Sequence, residues 1–121
     1  MRIATLRFHW VVPPSRYSRD LLDSRGTAWK DLWGFVTTPG TARSCLLGLT
    51  APLETFPLGH ETFFIVAGTT VRQSSSLELI KEKYPEIEDI RGDFSGNRAL
   101  IDCKKAERLL GWKEEGFPWT P

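Results

Sequence analysis

The run Thr62-Phe63-Phe64-Ile65-Val66-Ala67 constrains the fold more than any other stretch of the chain. Six residues without a charge, rich in aromatic and β-branched types, read as a strand buried on both faces. Such a strand belongs in a sheet with helices packed on it, and helix signals flank it on both sides. Upstream, Thr38-Pro39 offers a hydroxyl N-cap and a proline at the first helical position. Ala42, Cys45, Leu46 and Leu49 then recur at i, i+3, i+4 and i+7, which predicts a helix up to Pro52 with that stripe, thiol included, turned into the core. Downstream, Ser75 and Glu78 have the spacing of a capping box, opening a helix with Leu77, Ile80 and Tyr84 inward and Pro85 at its end.

The rest of the chain fills in around these elements. Residues 2–12, with Leu6, Phe8, Trp10, Val11 and Val12, read as one strand stopped by Pro13-Pro14. Residues 15–31 are polar and mixed, a long loop with room for one short helix, and residues 32–37 form a further strand. Residues 53–60 are a loop, residues 87–91 a short extended stretch, and residues 92–97 a glycine-containing loop. Asp102 can cap a last helix over residues 103–110, with Ala106, Leu109 and Leu110 on one face and Gly111 as its left-handed stop. Residues 112–121 read as an irregular tail. Strands and helices alternate, so the expected class is α/β.

Composition removes several function classes. A chain of 121 residues with 40% hydrophobic and 26% charged side chains is one globular domain, neither disordered nor fibrous. Its uncharged runs are too short to span a bilayer and no secretory leader is recognisable, so no membrane partner is expected. Cys45 and Cys103, far apart and outside any CxxC, suggest neither disulfides nor zinc, and a cytoplasmic location is the default. The net charge of +1 divides into +3 over residues 1–60 and −2 over residues 61–121, with acids and bases interleaved. No basic track with stacking aromatics exists, so nucleic acid is not an expected partner.

Catalytic motifs are mostly missing. The chain has no GxGxxG or GxxGxxG turn for a dinucleotide and no phosphate-binding GxxxxGK[ST] loop. Neither Tyr17 nor Tyr84 has a lysine four residues on, and His9 and His60 are too few and too far apart for a metal motif. His9, among apolar neighbours, reads as a packed and hydrogen-bonded residue. Cys103 sits where a helix dipole could lower its pKa, yet no partner histidine is identifiable.

Against that background the C-terminal half is informative. Asp102-Cys103-Lys104-Lys105-Ala106-Glu107-Arg108-Leu109-Leu110-Gly111-Trp112 resembles the "D-x-S-K-A-x-x-x-L-G-W" segment of the extended short-chain dehydrogenases/reductases, the NAD-dependent epimerase/dehydratase family. Arg91-Gly92-Asp93 is similar to that family's "R-P-G-D" loop, one residue shorter, and residues 62–67 with the Ser75 box resemble its "F-N-I-G" strand and "S-L-x-E-L" helix. Trp33-Gly34-Phe35-Val36 followed by Ala42-Arg43-Ser44 resembles "R-D-F-V-H-V-x-D-V-A-R-A", and Leu6-Arg7-Phe8 resembles "L-R-Y-F-N". Five weak matches fall in the family's order, and all belong to the second half of its chain.

The resemblance implies a mixed α/β lobe like the C-terminal substrate-binding region of a Rossmann-type enzyme, with residues 1–14 a strand and loop of the cofactor domain and residues 15–121 the substrate lobe. Phe8 and His9 would line the nicotinamide end of the cofactor cleft. Arg91 would hold an anionic substrate group, Asp93 would accept a substrate hydroxyl or brace Arg91, and Trp10 and Trp33 would meet the substrate where the family has Asn and Arg. With Pro39-Gly40 in place of an aspartate, these exchanges leave an apolar or smaller carbonyl compound, or a sugar bound differently, as the small-molecule substrate. The glycine-rich loop and the Tyr-x-x-x-Lys pair belong to the unmatched half, so no catalytic residue is assigned. NAD(P) is implied for the parent family and no cofactor for this chain alone. The expectation is the substrate-binding half of an NAD(P)-dependent epimerase/dehydratase-like oxidoreductase, inactive alone; the alternatives are a non-catalytic small-molecule-binding or interaction module, or a truncated gene product. Self-association through the N-terminal strand is the remaining expectation, from its acid-free edge.

Overall fold

A computed structural model describes residues 1–18, 22 and 24–116. Among them the chain forms β1 (Arg2–Phe8), β2 (Trp10–Val12), β3 (Phe35–Thr37), α1 (Thr38–Thr50), β4 (Gly59–Ile65), α2 (Ser76–Lys83) and α3 (Lys104–Leu110). Residues 19–21 and 23 of the expected loop and residues 117–121 of the expected tail lie outside the described residues. The result is a small mixed α/β domain with short parallel strands.

The long N-terminal strand of the sequence reading is two strands. β1 pairs in parallel with β4, from Arg2 opposite Gly59 to Phe8 opposite Ile65. After His9 the chain changes partner, and β2 pairs in parallel with β3, Trp10 opposite Phe35. Parallel neighbours need a crossover, and β3, α1 and the loop behind it supply the one between β1 and β4. The strand expected over residues 32–37 is shorter because Leu32 and Trp33 both have φ 54°, the left-handed region, and turn the chain before Phe35.

Only one face of the β1/β4 sheet is covered. Ala4, Leu6, Phe63 and Ile65 point into a core shared with Val36, Phe56, Ala106, Leu110 and Trp112. Phe56 and Phe63 meet edge to face at 5.5 Å, a geometry that contributes about 0.5–1.5 kcal/mol beyond area burial. Phe64, on the other face, is 43% exposed, so the strand expected to be buried on both sides is buried on one. A second core gathers Val12, Ala28, Trp33, Phe35, Ala67, Val71 and Leu79 under α2.

Helix α1 corrects the largest expectation. Ala42, Cys45, Leu46 and Leu49 all face solvent, Leu46 at 59% and Leu49 at 80% exposure. The side turned inward carries Gly40, Ser44, Leu47 and Gly48. Small residues let the helix approach the sheet closely: Gly48 lies against Ala4, and the buried Ser44 hydroxyl is satisfied by the Thr41 carbonyl at 2.7 Å. Both helix ends are also tied. Thr37, rather than Thr38, is the N-cap and accepts from Gly40 N at 3.0 Å, while the Arg2 guanidinium donates to the carbonyls of Ala51 and Phe56 at 2.6 and 3.0 Å. Those ties fix the rotation of the helix whatever its apolar stripe prefers.

The other two helices follow their signals more closely. The capping box at Ser75 and Glu78 is formed, and it holds the Glu78 carboxyl below its usual pKa. Leu77, however, is 40% exposed, and Leu79 takes its place inward beside Ile80. The Asp102 carboxylate accepts from Lys104 N at 2.7 Å at the start of α3, and Gly111 closes that helix at φ 71°.

Candidate functional site

Just beyond the carboxyl end of β4 the chain borders a cavity of 610 Å³, lined by residues 66–69, 91–94, 98–104 and 112–115, with Glu107. Open α/β sheets place ligands at the carboxyl ends of their strands. The volume lies in the range of small-molecule sites. Three segments are tied together to make it. Ala99 N donates to Gly68 O at 3.0 Å and Gly68 N to Glu114 O at 2.7 Å, joining loop, strand end and tail. Asn97 fixes the loop from below, its amide nitrogen lying 2.7–2.9 Å from the carbonyls of Arg72, Gln73 and Ser74.

Arg91 and Asp93 both line this cavity. Arg91 stands 86% exposed and binds the Asp89 carboxylate through Nε and Nη2 at 2.9 and 2.6 Å. Asp93 accepts from Ser95 N at 3.0 Å and pairs with Arg98 at 3.1 Å. The bonds from Ser95, then Arg98, hold its carboxyl below the usual range. Arg98 is the residue that sequence reading missed. It reaches the same cavity because residue 98 bridges Thr69 in an antiparallel step, a long-range pairing with no local signal. Two guanidinium groups, each paired with a carboxylate, thus border one cavity, and a guanidinium has the donor geometry for anionic oxygens.

The four remaining candidates lie elsewhere, and none lines this cavity. Phe8 ends β1 at 38% exposure. Trp33 is 2% exposed in the second core, edge to face with Tyr84 at 6.0 Å, so its indole packs. Trp10 carries the Arg25 guanidinium 4.8 Å above its ring. Arg25 also binds Asp31 at 2.9 Å. His9 sits beside this pair with Gly34 pressed on its ring, where a Cβ would come within 2.8 Å of Cδ2. Burial first, with Arg25 adding and Asp31 opposing, lowers the His9 pKa. Its Nδ1 and the Asp31 Oδ1 are buried without a hydrogen-bond partner among the described residues, so the bond expected of a packed histidine is missing at Nδ1.

Cys103 is half-buried, and its thiol faces the Val66 carbonyl at 3.4 Å. Burial, the largest effect, raises its pKa, which opposes nucleophilic use. No group of three or more metal-ligating side chains forms among the described residues. No described helix is long and apolar enough to cross a membrane.

A nicotinamide dinucleotide needs bare backbone amides at a helix N-terminus for its pyrophosphate. Each of the α-helices α1, α2 and α3 instead has a carboxylate at that end: Glu114 at α1, Glu78 at α2 and Asp102 at α3. These termini do not fit the cofactor. No family model matches the chain, and no curated protein or solved structure matches it.

Proposed function

We propose that the chain is the substrate-binding part of an NAD(P)-dependent epimerase/dehydratase-like oxidoreductase, without turnover of its own. The observation that carries this reading is the cavity beyond the carboxyl end of β4, where Arg91 and Asp93, from the segment that resembles the family's "R-P-G-D" loop, meet Arg98 from outside that segment. The parallel pairing of β1 with β4 supports it, since a parallel sheet is what the resemblance implies for the strand over residues 6–10. In this reading Arg91 leaves Asp89 and clamps an anionic substrate group, while Asp93 holds Arg98 in place or accepts a substrate hydroxyl. The nicotinamide would be carried by a separate domain, because the helix termini here repel a pyrophosphate.

The test is calorimetry on the chain with a uridine diphosphate sugar, a short carboxylate, NAD(H) and NADP(H). Binding of an anion that weakens at least about tenfold in Arg91→Ala, with no heat from either dinucleotide, is the expected result. Equal affinities in wild type and variant would remove Arg91 from the site, and micromolar dinucleotide binding would overturn the division of labour.

A further inference from the structure

We propose that α1 pairs antiparallel with α1 of a second copy of this chain, through Ala42, Cys45, Leu46 and Leu49. All four face solvent on the side of the helix opposite Gly40, Ser44 and Gly48. Thr38, Ala42, Cys45 and Leu49 are spaced four, three and four residues apart, the alternation of a helix-pairing seam. Leu46 lies alongside it.

The occupant follows from complementarity. A two-fold axis between residues 45 and 46 sets Leu49 against Ala42 of the second copy and Leu46 against Cys45 of the second copy. A large side chain meets a small one at every contact, as interdigitated packing requires. Charge agrees: α1 has no acid and one base, Arg43, which donates to the Lys113 carbonyl at 2.6 Å and lies over Trp112. A neutral seam offers nothing to a charged partner and meets its own copy without repulsion. By contrast, the edge strand β1 carries Arg7, exposed beside Phe64, and exposed charge discourages strand addition.

The helix has 13 residues and is about 20 Å long, so its seam alone is smaller than the roughly 800 Å² per partner of a stable complex. Leu53 and Leu58, in the segment that follows the helix, and Met1 are also exposed, at 58%, 69% and 91%. The pairing is therefore weak and concentration-dependent.

Sedimentation across a concentration series should show the 13.8 kDa chain rising toward twice that mass. Leu49→Glu and Leu46→Glu, at exposed positions that leave the fold intact by circular dichroism, should each weaken the dimer at least about tenfold. A short bismaleimide should join two copies through Cys45, in Cys103→Ser as in wild type and not in Cys45→Ser. A monomer at all concentrations would overturn the proposal. So would a dimer that keeps its affinity in both glutamate variants and is lost instead in Ile3→Lys or Phe64→Lys, and so would a dimer that Cys45 cannot cross-link.

Discussion

Replacing Gly40 by alanine should destabilise the protein, against the usual sign for a helix. In a solvent-facing helix this exchange gains about 1 kcal/mol. Here Gly40 is buried in the first turn of α1, and an added Cβ would overlap Glu114 Oε1 and stand 2.8 Å from its Cδ. The carboxylate must leave, because the backbone of α1 is fixed on the sheet. Leaving breaks two bonds: Thr37 N donates to Oε2 at 3.0 Å, and the Thr37 hydroxyl donates to Oε1. Hydrogen bonds to a charged group contribute about 1.5–3 kcal/mol each, less what solvation of the freed carboxylate returns. Taking about 3 kcal/mol for the pair and subtracting the propensity gain leaves a net loss of about 2 kcal/mol. In a Glu114→Ala background the three atoms nearest the added Cβ are gone, and Gly40→Ala should stabilise by up to about 1 kcal/mol. Urea denaturation of the four proteins closes the cycle, with an expected coupling of about 2–3 kcal/mol. Stabilisation of the wild type by Gly40→Ala, or a coupling under about 0.5 kcal/mol, would refute the placement of Glu114 on this helix end.

Two further outcomes follow from the same contacts. Burial depresses the His9 pKa, so above its ordinary value of 6.5 the imidazole is neutral in folded and unfolded chains and contributes no pH dependence. As pH falls through that value the unfolded chain takes up a proton that the folded chain refuses, and stability drops until the pH passes below the folded pKa. The urea midpoint should therefore decline on mild acidification in wild type and decline less in His9→Gln, and identical slopes would count against the burial of Nδ1. Trp112→Phe keeps a ring in the core but leaves the Gly40 carbonyl without the indole N–H now donated at 2.8 Å. A loss of about 1–3 kcal/mol in thermal or urea unfolding is expected, and a neutral result would contradict that bond.

What the sequence made legible were features whose cause is local. The Ser75 capping box and the Gly111 stop each need only residues a few positions apart, and each is formed. Asp102 accepts from Lys104 N, but the N-cap position itself falls to Cys103 because the helix starts one residue later than expected. The two segments of the N-terminal strand could not be separated, because the change of partner at His9 depends on which strands reach it from residues 35–37 and 59–65. Arg91 and Asp93 could be named as a pair, since they are two residues apart in one loop. Arg98 could not be added, because its place beside the cavity comes from an antiparallel step across to Thr69.

Helix α1 shows the physical limit of reading periodicity. A spacing of i, i+3, i+4 and i+7 establishes that four apolar residues share a face, and says nothing of where that face points. The direction comes from competition between two faces for the sheet. Burying Cys45, Leu46 and Leu49 would remove more apolar area from water, but would hold the helix farther from β1. It would also turn Thr37 away from Glu114 and Gly40 away from Trp112. The small face admits close packing at Gly48 and Ala4, keeps both capping interactions, and lets Arg2 reach the carbonyls at the C-terminal end. Hydrogen bonds and close approach thus outweigh the apolar stripe. A stripe left outside at the spacing of a helix-pairing seam has its area still to bury, and a second copy offers the matching surface.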